Sequence, residues 1–322
     1  MKRPAPVLAK VAVSLVLLAY LLSTTDLAAL VSRVRGGDAL LLAAAAGIYS
    51  VILAISTWRW RLLLHAQGYH APLGPLSASY LVATFFNNFM PSNIGGDVIR
   101  VRDSYRYTRS TTTALAVVAI DRIVGLGALY ALAVVAYLTG GPAVRRLAGA
   151  TPVVVGLGAV FSVLAYVFFR PGVARRLMSI SGLEAYEWAR KRFAAVQAAV
   201  HVYRQRVSAV WAAFGGSVAL QALVICYYYT IAHSLAIPLP FNSCFLMVPL
   251  CTLMQTVPVS FNGWGIRESL YIIYFRQIGL PRDSALAFSL VGAGLIVLLS
   301  LSGAIVWTSR GTLPAAAEPP PA

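Results

Sequence analysis

Eight apolar runs, at residues 7–22, 39–57, 75–90, 114–138, 152–169, 208–237, 241–257 and 285–308, take up most of this chain. A helix that crosses a bilayer uses about 20 residues, and most of the runs approach or exceed that length. They are continuous rather than alternating, which selects helices over the strands of a membrane barrel. Charged residues make up 11% of the chain and apolar residues 59%, whereas soluble domains carry about 25% charged residues. That composition excludes a soluble globular domain, a disordered chain and a disulfide scaffold. About six to eight crossings would use up the 322 residues. The longest polar stretch, 170–207, has room for one or two helices and not for a catalytic domain. The expectation is an all-α polytopic membrane protein forming a single domain over 1–310. A Pro/Ala-rich tail at 311–322 is expected to be disordered.

Charge supports the same class. Lys and Arg number 26 against 10 Asp and Glu, a net +16. In a soluble protein this would suggest nucleic acid; in a membrane protein the basic residues hold cytoplasmic loops against anionic lipid, so nucleic acid is not expected as a partner. Met1-Lys2-Arg3 before the first run resembles a signal peptide. Ser23-Thr24-Thr25-Asp26 follows it in place of a small-residue cleavage motif, so the run reads as an uncleaved first helix, with Lys10 snorkelling. Cys226, Cys244 and Cys251 lie in apolar runs without metal spacing. The four histidines are scattered. No metal or cofactor is expected.

Two runs are short and end in broken sequence. The first continues through Asn87, Asn88, Pro91, Asn93, Gly95, Gly96 and Asp97. The second carries Pro249 and continues through Pro258, Asn262, Gly263, Gly265, Arg267 and Glu268. Both pass from apolar helix into proline, asparagine, a glycine pair and an acid. Aligning Asn93 with Asn262 also aligns Gly96 with Gly265. If both are re-entrant hairpins, about six helices span, both termini are cytoplasmic, and the basic clusters at 59–61, 100–109 and 170–206 lie inside, as the positive-inside rule requires. A spanning 75–90 would put 100–109 outside. Two like elements of opposite orientation in corresponding halves point to an inverted repeat of the transporter kind.

Irregular backbone at membrane depth survives only when buried in protein or lining a wet cavity. Asn87, Asn88, Asn93 and Asn262 donate and accept hydrogen bonds. Arg100 and Arg267 supply positive charge suited to phosphate. The expected ligand is therefore a lipid with an anionic headgroup. Asp121-Arg122, inside the run 114–138, form a second constellation. Adjacent helical residues do not face one another, so each needs its own partner: Asp97 or Glu268 for Arg122, Arg100 or Arg267 for Asp121. At about eight residues, or roughly 12 Å, from the cytoplasmic end, Arg122 is expected to be buried. A basic amphipathic helix within 170–207, with a stripe through Leu183, Tyr186, Phe193, Val196, Val200, Tyr203 and Val207, is expected on the inner leaflet. Tyr227-Tyr228-Tyr229 and the glycine pairs 125/127, 156/158 and 292/294 read as packing features.

Residues 88–100, 121–126 and 258–268 together resemble the lysylphosphatidylglycerol synthase transmembrane-region family of flippase-like membrane proteins, and the resemblance covers nearly the whole chain. The first family motif commonly carries Glu after its glycine, where Gly96 and Asp97 stand here. The helix motif often begins with Glu, where Asp121 stands. In bifunctional members the membrane region moves an aminoacylated phospholipid, and a large cytoplasmic synthase domain follows. This sequence ends at Ala322, so the resemblance implies lipid translocation between leaflets of a bacterial inner membrane rather than lipid synthesis. Two other readings stay open: a membrane-embedded transferase acting on a polyprenyl-phosphate or lipid, with Asp97 or Glu268 as base, and a scaffold for a separate lipid-modifying enzyme. Self-association is compatible with each.

Overall fold

A computed structural model describes residues 27–90, 95–139, 150–170, 187–255 and 263–309, with a few isolated positions besides. Runs 7–22 and 311–322, and the candidate residues Pro91, Asn93, Pro258 and Asn262, lie outside the described residues. Those described form eleven helices: α1 (Leu27–Arg35), α2 (Ala39–Ala66), α3 (Leu73–Phe89), α4 (Gly95–Thr108), α5 (Thr111–Thr139), α6 (Ala150–Phe169), α7 (Glu187–Gln205), α8 (Val207–Ser234), α9 (Phe241–Gln255), α10 (Ile266–Gln277) and α11 (Arg282–Ser309).

Four of these, α2, α5, α8 and α11, are long and apolar enough to cross a membrane. Large apolar side chains on their outer faces stay uncovered, among them Leu115, Val135, Leu298 and Ile305, as lipid-facing surface requires. The pairs α3/α4 and α9/α10 behave differently. With 17, 14, 15 and 12 residues, each reaches about 18–26 Å at about 1.5 Å per residue, short of the roughly 30 Å hydrocarbon core. Each pair folds back on itself, with close contact between its two arms.

The chain contains an internal repeat. Helices α2, α3, α4 and α5 correspond in order and length to α8, α9, α10 and α11. The contacts correspond as well: α3 packs on α11 as α9 packs on α5, α4 on α5 as α10 on α11, and α2 on α3 as α8 on α9. The counterparts α2 and α8 pack antiparallel on each other. The Asp38 N–H donates to the Ser234 carbonyl at one end, and Gly216 lies under Trp58 at the other. Because the matched helices run in opposite directions, the two halves are inverted.

Local chemistry sets the ends of these elements. Asp38 caps α2 by accepting from the N–H groups of Leu40 and Leu41, at 2.8 and 3.2 Å. The Gly265 N–H donates to Glu268 at the start of α10. Gly263 and Gly265 have φ of 76° and 84°, backbone conformations that glycine adopts without steric cost. The main departure from the sequence expectation is at α2, which runs past residue 57 to Ala66 and so carries Arg59 and Arg61 inside a helix.

Tyr203 of the apolar stripe of α7, and Ala199 beside it, are buried in protein. The Tyr203 hydroxyl donates to the Leu63 carbonyl at 3.0 Å, and Gln67 donates to the Ala199 carbonyl at 2.8 Å. The stripe docks this helix on one end of the bundle. Leu183 and Tyr186 lie outside the described residues.

Candidate functional site

The first hairpin closes through a backbone-to-amide contact. The Gly96 N–H, in the first turn of α4, donates to Asn87 Oδ1 near the end of α3 at 2.8 Å. A Cβ at Gly96 would run into the Ala83 carbonyl and the Asn87 amide, so only glycine allows this approach. In the second hairpin Gly263 sits against Gln255, at the end of α9. The contact thus pairs Gly96 with Gly263, and Asn87 with Gln255, instead of Gly96 with Gly265 as the sequence alignment suggested. A closed helix pair tolerates different loop lengths, and the linear alignment cannot register that difference.

Asp121, on α5, is 1% exposed and lies between two guanidinium groups. Arg59 Nε from α2 approaches Oδ1 at 2.5 Å, and Arg100 Nη2 from α4 approaches Oδ2 at 2.7 Å. Arg59 also donates to Ser217 of α8 at 2.7 Å. The Arg100 guanidinium lies over the rings of Trp60 and Tyr80, at 5.0 and 5.2 Å. Arg122 points elsewhere: its Nε donates to Asp97 Oδ2 at 2.6 Å. Asp97 Oδ1 is also 3.8 Å from Arg100 Nη1. Arg59, Asp121, Arg100, Asp97 and Arg122 therefore form a ladder of alternating charge through α2, α5, α4 and back to α5.

The pairs Arg122–Asp97 and Asp121–Arg100 are among the alternatives expected from sequence. Arg59, expected in a cytoplasmic cluster, is instead part of the ladder. A signal was present: Arg59 is flanked by Trp58 and Trp60, and apolar sequence resumes at Leu62-Leu63-Leu64. Arg122 is less buried than expected. Its side chain is 39% exposed and that of Asp97 17%, because α5 turns Asp121 inward and its neighbour toward an opening.

That opening is a cavity of about 340 Å³ lined by residues of α2, α3, α4, α5 and α8. Asn87, Asn88, Asp97, Arg100, Asp121 and Arg122 all line it. Arg59 lines it as well, with Gly125 beneath its guanidinium. Among the described residues, the charged side chains in its wall are three guanidinium groups and two carboxylates.

The second half holds a smaller cavity, of about 200 Å³, built from the matching positions. Thr252, Gln255 and Arg267 line it where Thr84, Asn87 and Arg100 line the first. Its chemistry differs. Trp264, in the place of Asp97, lies over the Arg267 guanidinium at 4.6 Å. Ser289 takes the place of Asp121 and accepts from Arg267 Nε at 3.0 Å. The acid of this half is Glu268, which is fully buried. It accepts from the Gly265 N–H at 2.6 Å, from Arg267 Nη2 at 2.6 Å and from the Ser289 hydroxyl at 2.9 Å. Asn88 lines both cavities.

Arg100 and Arg267 each carry a buried carboxylate partner, Asp121 for Arg100, one of the two expected alternatives, and Glu268 for Arg267. Gly95 and Gly96 are buried in the first turn of α4, where they set the hairpin's shape and where the Gly96 N–H is taken up by Asn87.

These features define a polytopic helical membrane protein with an inverted repeat and charged side chains around an internal cavity. The chain belongs to the family described as lysylphosphatidylglycerol synthase TM region, whose match covers residues 7–303. Comparison with curated proteins gives no match.

Proposed function

We propose that this protein moves an amphiphilic lipid between the leaflets of a bacterial inner membrane, with both termini cytoplasmic, and that the charged cavity receives the anionic headgroup. The observation that carries the reading is a polar, positively biased cavity of about 340 Å³, formed by the first half and closed by Leu220 and Gln221 of α8, within a largely apolar bundle. A buried charge costs several kcal/mol, so the three sealed charges of the ladder, Arg59, Asp121 and Arg100, call for a functional reason beyond packing in a membrane bundle. Inverted repeats place substrates at their interface and alternate access around that point. Asn88, shared by both cavities, stands at that point. The family match supports a lipid-related role. The state of Glu268 speaks against it as the base of a transferase, because a carboxylate with both oxygens engaged and no exposure is poorly placed to take a proton from a substrate. That leaves Asp97 as the candidate base of that reading. Helix α7 and the basic segment before it supply positive charge suited to an anionic leaflet.

The test is reconstitution into liposomes of defined lipid composition. Purified protein is expected to move a fluorescent phospholipid between leaflets without changing its mass. A new covalent lipid product, lost in Asp97→Asn, would replace this reading with the transferase.

A further inference from the structure

The charge ladder has guanidinium groups at both ends, Arg59 and Arg122, and these ends differ in access. Arg59 is buried at 8% side-chain exposure, whereas Arg122 opens to the cavity at 39%. The ladder also carries one more cation than anion. We infer that the Asp97–Arg122 pair is an exchangeable latch: a phosphodiester with a single negative charge takes the place of the Asp97 carboxylate on Arg122, and Asp97 moves onto Arg100. This inference rests on the headgroup reading of the cavity and specifies its chemistry.

Three observations on the structure carry it. The bond to be exchanged, Arg122 Nε to Asp97 Oδ2 at 2.6 Å, is the more exposed of the two ion pairs that join α4 to α5 in the ladder. The displaced carboxylate already has a partner within reach, because Arg100 Nη1 is 3.8 Å from its other oxygen. Asp97 also stays in the first turn of α4, where the helix N-terminus favours a negative charge. A bound monoanion brings the ladder to equal numbers of cations and anions. A second negative charge would have no partner. A guanidinium fork suits a phosphodiester as well as it suits a carboxylate. The exchange belongs to one half of the repeat, since Trp264 stands where Asp97 stands and Glu268 is locked by Gly265, Arg267 and Ser289.

The latch joins α4 to α5, so exchange couples binding to movement of the hairpin. Two exposed positions beside the pair report on it: Val98, 60% exposed, and Ile123, 41% exposed.

The test uses the full chain in detergent with a fluorescent phosphatidylglycerol as bound probe. Unlabelled phosphatidylglycerol is expected to displace it at concentrations about tenfold lower than phosphatidylcholine, which has the same phosphodiester but no net charge. Displacement by soluble glycerophosphoglycerol as effective as that by the lipid would support the anion chemistry and overturn a lipid as its source. Asp97→Asn removes the competing carboxylate and is expected to tighten phosphatidylglycerol binding about tenfold. Asp97→Glu keeps the competitor and is expected to stay near wild-type affinity. Arg122→Gln is expected to abolish the preference for phosphatidylglycerol over phosphatidylcholine.

Spin labels at Val98→Cys and Ile123→Cys should show a changed distance distribution when phosphatidylglycerol is added. In the Asp97→Asn background that change should already be present without lipid. Unchanged or weaker binding in Asp97→Asn, or label distances that do not respond to lipid, would overturn the latch. Absence of lipid movement by wild-type protein in liposomes would overturn the transport reading by itself.

Discussion

Arg59 of α2 and Asp121 of α5 meet at 2.5 Å in a part of the bundle where Arg59 has 8% and Asp121 1% of its side chain exposed. Arg100 closes on the same carboxylate from α4, so one acid ties three helices of the first half together. Trp60 reinforces the junction by donating to Ser104 at 3.1 Å while its ring lies against Arg100.

Removing that acid should therefore damage the fold more than the activity alone. Asp121→Ala leaves two buried guanidinium groups sharing no carboxylate, and breaking a buried pair in this way costs about 3–5 kcal/mol. The expected outcome is lost expression or a strongly lowered Tm, with partial recovery when Arg59 is replaced by Met in the same chain. Fluorescence-detected size-exclusion chromatography over a temperature series would measure both. An Asp121→Ala protein that melts with the wild type would contradict the burial argument.

Arg122→Ala should behave in the opposite way. The pair with Asp97 is partly hydrated, and such pairs contribute about 1 kcal/mol or less to stability. Tm should change little while lipid movement in liposomes falls to background. A large loss of Tm with transport retained would make Arg122 a structural residue.

Gly96→Ala tests the hairpin. The added methyl meets the Ala83 carbonyl and the Asn87 amide, and overpacking of this kind typically costs about 1–3 kcal/mol. The backbone has little room to give, because the Gly96 N–H is held by Asn87. Lowered Tm and impaired transport are expected together. Gly47→Ala, where a Cβ would meet nothing within 4 Å, is the control and should match the wild type.

Topology is checked with single cysteines at exposed turns. Ser104 is unsuitable, since it is fully buried beneath Trp60. Arg109 lies in the exposed turn between α4 and α5, and Gln277 is exposed at the end of α10. In intact cells an impermeant thiol reagent should label Gln277→Cys and spare Arg109→Cys. The reverse pattern would invert the proposed orientation.

Much of this architecture can be read from the order of residues. Long apolar runs require spanning helices, because a backbone in hydrocarbon must satisfy its own hydrogen bonds. Proline and glycine at the ends of two short runs require breaks, whereas Pro249 sits inside α9. Charged residues inside an apolar run require partners, and the short menu offered for Asp121 and Arg122 contained Arg100 and Asp97. Which partners form was beyond that pattern. Arg59 follows the apolar run 39–57 in the sequence, and only the continuation of α2 to Ala66 brings it inside the bundle. The accessible charge proved to be Arg122 and the sealed ones Arg100 and Arg267, because exposure depends on which way α4, α5 and α10 turn once packed. The pairing of Gly96 with Gly263, and the unlike chemistry of the two cavities, likewise arise from contacts between segments far apart in the chain. A linear pattern specifies what each helix must bury or expose. The choice of partner belongs to the packed bundle, where distance and desolvation select among charges that look equivalent along the sequence.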